Sequence, residues 1–217
     1  MMRRQISREW TLFKRQPQVV VNASLFFLMV LVFFPLSMPS DPNVLRTVSP
    51  GLVWIALLLA FLLSADRLFQ EDYDDGVIEQ WLVSGDPLTL YVGVKIGVYW
   101  IGHVIPILLL CPILAFLFSF NVNETLVLMG SICFGTPAMG SLCGLAAACN
   151  TGFLHKGMLM ALMVLPLTLP LLILGSGTLA AAMQGLPISG YLAILLAMSM
   201  LSFSILPIAI AGVIRAG

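Results

Sequence analysis

Charge is what this sequence has least of. Charged residues make up only 9% of its 217 residues, whereas apolar residues make up 60% and the mean hydropathy is +1.05. A soluble domain carries roughly 25% charged residues because its surface faces water. Since a membrane-spanning helix needs about 20 mostly apolar residues, six spans with short connections use the whole chain. We therefore expect an all-α integral membrane protein, with residues 1–217 forming a single transmembrane domain.

The motifs of common catalytic and nucleotide-binding sites are also missing. No G-x-x-x-x-G-K-[ST] occurs, which excludes the usual phosphate-binding loop for ATP. The spans contain no convincing Asp or Glu, although ion-coupled carriers usually place one near the membrane midplane. The cysteines include no C-x-x-C pair and lie in or beside apolar runs, which favours packing over metal or redox sites; they are Cys111, Cys133, Cys143 and Cys149. We expect no catalytic residue, no metal, no cofactor bound by this chain and no nucleic-acid partner.

One ionisable residue, His103, lies clearly inside a predicted span. Two interpretations stay open: a ligand or proton relay, or a hydrogen-bonded packing residue, which we favour. A hydrolase would need Ser, His or Asp groups that converge from different helices, and Ser141 and His103 are candidates in name only.

Apolar runs in the sequence predict the spans. The first run is not expected to be a cleaved signal peptide, because it is too long and has no A-x-A cleavage site. The third run is too long for one perpendicular span. We expect it to begin at the cytosolic interface, with Asp86 as N-cap and Pro87 as the first helical residue, and to be interrupted near Pro106 or Pro112. The predicted spans are 19–38, 50–65, 90–118, 126–149, 157–180 and 191–213.

The basic residues predict the orientation. With six spans, nine of the ten Lys and Arg residues fall on one side and only Arg46 falls on the other. Because cytoplasmic loops carry the excess of Lys and Arg, we expect both termini to be cytoplasmic.

The N-terminal stretch, residues 3–15, has the pattern of a short amphipathic helix. Ile6, Trp10 and Phe13 share one face, and Arg4, Arg8 and Arg15 lie roughly opposite. This pattern is typical of a helix in the headgroup plane. It serves either as a membrane anchor only or also as part of a docking surface for a cytosolic partner.

The connection between spans two and three, residues 66–87, holds seven of the ten acidic residues. Asp75-Gly76 predicts a turn, and a short helix follows that ends at Ser84-Gly85. Val77, Ile78, Trp81 and Leu82 are predicted to form one apolar face of that helix. The segment is either a solvated connector or a binding surface for a partner with basic and apolar groups.

The chain resembles the haem exporter protein B family, the permease subunit of the bacterial cytochrome c maturation ABC complex. The resemblance runs nearly end to end in the same order. The segments that carry it are PGLVWIALLLAFLLSADRLFQEDYDDGVIEQ (50–80), FGTPAMG (134–140), VLPLTLPLLIL (164–174) and GYLAIL (190–195).

This resemblance implies a six-helix ABC export-type permease in the bacterial inner membrane, with haem as the transported ligand and ATP bound by a partner. The partners it implies are a cytosolic ABC ATPase subunit, a tryptophan-rich haem-handling membrane subunit, a small single-span subunit and a periplasmic haem chaperone. Whether free haem crosses, or the cycle releases the loaded chaperone, stays open. The alternatives are a secondary carrier and a non-transporting scaffold. The resemblance and the predicted apolar face together give the expected ATPase-docking residues, which are Glu71, Asp72, Asp75, Gly76, Val77, Glu79, Trp81 and Leu82.

Overall fold

The computed structural model describes residues 2–15, 17–37, 42–150 and 156–216, with side chains described except at 2–4, 13–15, 42, 156–164 and 216. These described residues form helices joined by short connections, and they contain no strand. The helices are α1 (Met2–Arg15), α2 (Pro17–Ser37), α3 (Pro42–Ala65), α4 (Gln70–Asp74), α5 (Val77–Ser84), α6 (Leu88–Leu117), α7 (Val122–Asn150), α8 (Lys156–Met183) and α9 (Ser189–Ala216).

Six of these helices are long and apolar enough to cross a membrane: α2, α3, α6, α7, α8 and α9. They follow the six predicted spans in order, and the all-α class with an N-terminal helix is confirmed. At 30 residues, α6 is ~45 Å long at 1.5 Å per residue, more than the ~30 Å hydrocarbon core. A perpendicular α6 would therefore extend beyond the core, as expected for the third run.

The helices differ from the predicted spans at two places. The second span was expected to begin at residue 50, and α3 already includes the residues from Pro42 onwards. The interruption expected near Pro106 or Pro112 does not occur, since α6 is continuous through both prolines. The start of α6 at Leu88, with Pro87 as N-cap, is one residue later than expected, within the usual uncertainty of helix ends.

Small residues on α7 let its neighbours pack closely against it. The helix packs against α9, α8, α6 and α3. A Cβ on Gly140 would lie 3.5 Å from Phe61 on α3, and one on Gly144 would lie 3.4 Å from Ile96 on α6. Gly140-x-x-x-Gly144 thus lies at contacts within this chain, in the way that small-xxx-small pairs serve membrane helices.

A fully buried tryptophan, Trp54 on α3, fills a niche that two glycines leave open. A Cβ on Gly175 of α8 would lie 2.1 Å from the indole ring, and one on Gly135 of α7 would lie 2.5 Å from it. Since real Cβ contacts are never that short, both positions need glycine while Trp54 is in place. The three helices α3, α7 and α8 therefore meet at this side chain.

Candidate functional site

The acidic connection between α3 and α6 folds into two short helices, α4 and α5. The turn predicted at Asp75-Gly76 is present, and Gly76 adopts φ +69°, a left-handed conformation that glycine takes at little cost. The predicted end of α5 is present too, with Gly85 at φ +76°. The helix α4 was not predicted, because five residues with three charges carry no apolar periodicity.

The outer face of this segment combines acidic and apolar side chains. Glu71, Asp75 and Glu79 are exposed, as are Leu82 at 43% and Val83 at 88%. Val83 was absent from the expected set, although its place beside Leu82 in an acidic helix was a signal for it. An exposed apolar pair among carboxylates matches the surface chemistry of a partner that presents basic and apolar groups.

The inner face of α5 packs against the bundle. Ile78 is buried, and Trp81 is half-buried, with its ring centroid 5.5 Å from that of Tyr91 on α6. The apolar face expected from the sequence is therefore divided: Ile78 and Trp81 fix α5 to the protein, while Leu82 points away from it. Val77 is intermediate in exposure.

Asp72 differs from the docking role expected for it. Its side chain is buried, at 5% exposure, because α4 turns it towards α6 while Glu71 and Asp75 face outwards. The Tyr91 hydroxyl and the Lys95 ammonium both donate to Asp72 Oδ2. Asp72 is therefore not part of the exposed acidic surface.

Lys95 also reaches a second carboxylate, so that a buried cluster joins three segments. Its Nζ lies 3.7 Å from Glu9 Oε2 on α1. Arg8 completes the cluster from the outside, with Nη1 at 3.2 Å from Glu9 Oε1 and Nη2 at 3.5 Å from Asp72 Oδ1. We call Arg8, Glu9, Asp72 and Lys95 the loop-end clasp, and the side of the bundle that holds it the loop end.

The charges of the clasp balance, since it has two carboxylates and two cations. Glu9 is 5% exposed and Lys95 is 9% exposed. Burial raises the pKa of the Glu9 carboxyl above its ordinary value, and the charge of Lys95 is the main influence that opposes this shift. Burying an ion costs several kcal/mol, which is offset only where partners are well placed. The contacts of Glu9 with Lys95, Arg8 and Gln5, which donates to it at 2.9 Å, provide such partners.

The N-terminal helix is present as predicted, but a polar pair rather than its apolar face packs against the protein. Gln5 and Glu9 are buried, whereas Ile6 is 44% exposed and Trp10 is intermediate. The side chain of Phe13 lies outside those that the structure describes. The i, i+4 spacing of Gln5 and Glu9 was a sequence signal for a polar contact face, and neither residue was expected to matter.

A cavity of about 200 Å³ adjoins the clasp and extends to His103. His103 is buried, its Nδ1 donates to the Tyr99 carbonyl oxygen at 2.8 Å, and its ring packs on Tyr99 and Phe61 with centroid distances of 4.4 and 5.9 Å. This cavity is smaller than the roughly 300–1,000 Å³ usual for drug-sized ligands, which favours packing over ligand binding. These contacts are those of a packing histidine.

The opposite end of the bundle holds a separate ion pair. Arg46 on α3 binds Glu124 on α7 at 2.6 Å and the Ser119 carbonyl oxygen at 3.2 Å. Glu124 is 5% exposed and also accepts from the Asn121 N–H at 2.8 Å. The one basic residue predicted on that side thus neutralises a buried carboxylate.

No metal site accompanies these charges in the part of the chain that the structure describes. No group of three or more His, Cys, Asp or Glu side chains converges there. All four cysteines are free, with Cys111 and Cys143 buried.

Six apolar helices with an acidic, partly apolar surface at one end define a multi-spanning membrane protein of the permease type. The chain belongs to the CcmB protein family, whose model matches residues 1–217. This confirms the resemblance to haem exporter protein B found in the sequence.

Relatives from several bacteria cover nearly the same length. Heme exporter protein B of Pseudomonas aeruginosa is 41% identical over 206 residues, 95% of this chain and 92% of the relative. That of Haemophilus influenzae is 37% identical over 210 residues, 97% of this chain and 95% of the relative. That of Escherichia coli is 36% identical over 213 residues, 95% of this chain and 97% of the relative.

Proposed function

We propose that this chain is the membrane permease subunit of an ABC complex that exports haem, or handles the haem chaperone, in c-type cytochrome biogenesis. Membership of the CcmB protein family and relatives named heme exporter protein B support this. The complex lies in the bacterial inner membrane with both termini of this chain in the cytoplasm. Its other members are a cytosolic ABC ATPase subunit, a tryptophan-rich haem-handling membrane subunit, a small single-span subunit and a periplasmic haem chaperone.

The observation that carries the mechanism is the exposed acidic and apolar surface of α4 and α5. Glu79 is three and four residues before the exposed apolar pair Leu82 and Val83 on α5, and Glu71 and Asp75 are exposed on the preceding segment. We define the docking surface as these five residues with Gly76 and Val77. It binds the ATPase subunit, whose complementary face carries basic and apolar groups. Asp72 and Trp81 support this surface from the inside.

A groove of about 300 Å³ adjoins the docking surface and extends it to α1. Gln5 and Arg8 form one wall, and Val77, Trp81 and Asp86 lie on the other. A side chain of the ATPase subunit that enters this groove contacts the N-terminal helix as well as α5. This groove supports the interpretation of α1 as part of the docking region rather than as an anchor only.

In this mechanism the permease performs no chemistry. The ATPase subunit binds and hydrolyses ATP, and its change of shape displaces α4 and α5. Because packed helices move as rigid bodies rather than deform continuously, that displacement moves α3 and α6, which flank the loop. Haem is the transported substrate, and this chain supplies the moving helices.

The test is a charge reversal at the docking surface. Glu79→Lys should release the ATPase subunit when the complex is purified from native membranes through a tag on this chain. Losing one partner of a desolvated charge pair costs about 2–5 kcal/mol, which weakens binding roughly 30-fold or more. Mass spectrometry identifies the ATPase subunit, and immunoblotting measures how much of it remains bound.

The matched control is Asp66→Lys, since Asp66 is an exposed acid of the same connection outside the docking surface. It changes the net charge equally and should retain the ATPase subunit. Equal retention in both variants would show that α5 is a solvated connector. An ATPase subunit that binds, yet hydrolyses ATP at the same rate with and without this chain, would favour the scaffold alternative.

A further inference from the structure

The loop-end clasp connects the N-terminal helix α1 to α4 and α6, so these segments can move together. We propose that Glu9, Lys95 and Arg8 make α1 a moving part of the coupling mechanism, so that α1, α4–α5 and the first turns of α6 move as one body. This inference rests on the proposed function. It assigns positioning roles to residues outside the docking surface.

Lys95 connects three segments of the protein. It lies near the beginning of α6, and its ammonium group contacts Asp72 of α4 and Glu9 of α1 at once. Both carboxylates are 5% exposed. If α4 or α1 moved away from α6, Asp72 or Glu9 would lose its contact with the Lys95 ammonium group, which is unfavourable away from water. The three segments are therefore held in one arrangement.

The clasp is also connected to the docking surface through Asp72 and Trp81. Asp72 lies between the exposed acids Glu71 and Asp75, so a force on those acids acts directly on the clasp. Trp81 on α5 packs against Tyr91, and the Tyr91 hydroxyl donates to Asp72. A displacement of either short helix thus reaches α6 through side chains in van der Waals or hydrogen-bonded contact.

The N-terminal helix α1 also has an exposed apolar residue, in addition to its polar contact with the clasp. Ile6 is 44% exposed, and in the proposed orientation it faces the headgroup region. The apolar side of α1 then lies in the headgroup region, and its polar side is bound to the loop. When the loop moves, α1 therefore moves with it along the membrane surface. An anchor needs only the apolar side and gains nothing from a buried Glu9.

Glu9→Gln separates α1 from Lys95 with the smallest change of shape. The docking surface is intact in this variant, so we expect the ATPase subunit to stay bound and to hydrolyse ATP within about twofold of the unmodified rate. Cytochrome c formed per ATP hydrolysed should fall about tenfold, the change that 1.4 kcal/mol produces in an equilibrium constant.

The matched control is Glu124→Gln. Glu124 is equally buried and also pairs with an arginine, but at the opposite end of the bundle. It should destabilise the protein similarly and leave cytochrome c formed per ATP unchanged. Arg8→Gln is the second test variant; because Arg8 also forms part of the groove wall, cytochrome c is compared per ATP hydrolysed by complexes that retain the ATPase subunit. This substitution removes a bridge between the same two acids, and at 36% side-chain exposure Arg8 can be replaced at less risk to folding.

A distance measurement tests the rigid body itself. Spin labels on the exposed residues Ser7 and Tyr73 should keep the same distance in the nucleotide-free and ATP-bound complex, and the distance should broaden with Glu9→Gln. A Ser7–Tyr73 distance that changes through the cycle, or cytochrome c per ATP that is unaltered in both clasp variants, would overturn the inference. Loss of the ATPase subunit from the unmodified complex would instead refute the proposed function.

Discussion

At the scale of single residues, His103 is the side chain whose two interpretations differ most in consequence. Its Nδ1 donates to the Tyr99 carbonyl oxygen, and its ring packs between Phe61 and Tyr99. These contacts, and the small volume of the adjoining cavity, favour packing. His103 also lines the cavity beside the clasp, so a substitution distinguishes the two interpretations.

We therefore predict that His103→Gln preserves function. Glutamine can make the one hydrogen bond to Tyr99 but is a poor ligand for haem iron. Cytochrome c formation should stay within about twofold of the unmodified level, with a loss of stability of about 1 kcal/mol, measured by thermal unfolding in detergent. Complete loss of cytochrome c at normal protein abundance would instead assign His103 as a ligand or relay.

At the scale of elements, the turn between α4 and α5 sets the direction of the docking helix. Gly76 adopts a left-handed conformation, and a Cβ added there would meet no atom of this chain within 4 Å. Within the chain, a substitution therefore costs only conformational energy. A left-handed residue other than glycine costs roughly 1–2 kcal/mol, and less for Asn.

A series at Gly76 separates conformation from contact with the partner. If only conformation matters, retention of the ATPase subunit should fall in the order Gly, Asn, Ala, Val. If the partner backbone approaches closely, even Gly76→Asn should release the subunit about tenfold more than Gly85→Asn. Gly85 is the matched control, because it has φ +76° and similar open space at the other end of α5. Equal retention in Gly76→Val and the unmodified chain would contradict both explanations.

The elements were predictable from the sequence to different degrees. Long apolar runs specify six membrane helices because lipid leaves the backbone few other ways to satisfy its hydrogen bonds. The turn at Asp75-Gly76 and the end of α5 followed from local chemistry. The continuity of α6 through Pro106 and Pro112 did not, since neighbouring helices rather than local sequence decide whether a proline breaks a membrane helix.

The clasp could not be predicted in the same way. Lys95 and Asp72 are 23 positions apart, and Glu9 is on a third segment, so no periodicity connects them. Which of the seven acids in the connection turns inwards depends on the direction of α4, an element with no apolar pattern. Asp72 was therefore grouped with the exposed acids, although it is buried against Tyr91 and Lys95.

At the scale of the whole molecule, the two ends of the bundle differ in charge. The loop end holds the docking surface and the clasp, which includes Arg8 and Lys95, whereas Arg46 at the opposite end is neutralised by Glu124. With six spans that alternate in direction, nine of the ten basic residues belong to the loop end. An ATPase subunit can reach the docking surface only if that end is cytoplasmic.

The orientation gives the last prediction, which tests the proposed function independently of any partner. Cytoplasmic loops retain Lys and Arg during insertion, so the loop end should be inside the cell. Single cysteines at the exposed positions Ser84 and Asn123, in a chain whose four native cysteines are replaced, report the two ends. In intact cells an impermeant maleimide should label Asn123→Cys but not Ser84→Cys, and after lysis it should label both. Labelling of Ser84→Cys from outside would place the docking surface in the periplasm, where no ATP is available, and the coupling mechanism would then be excluded.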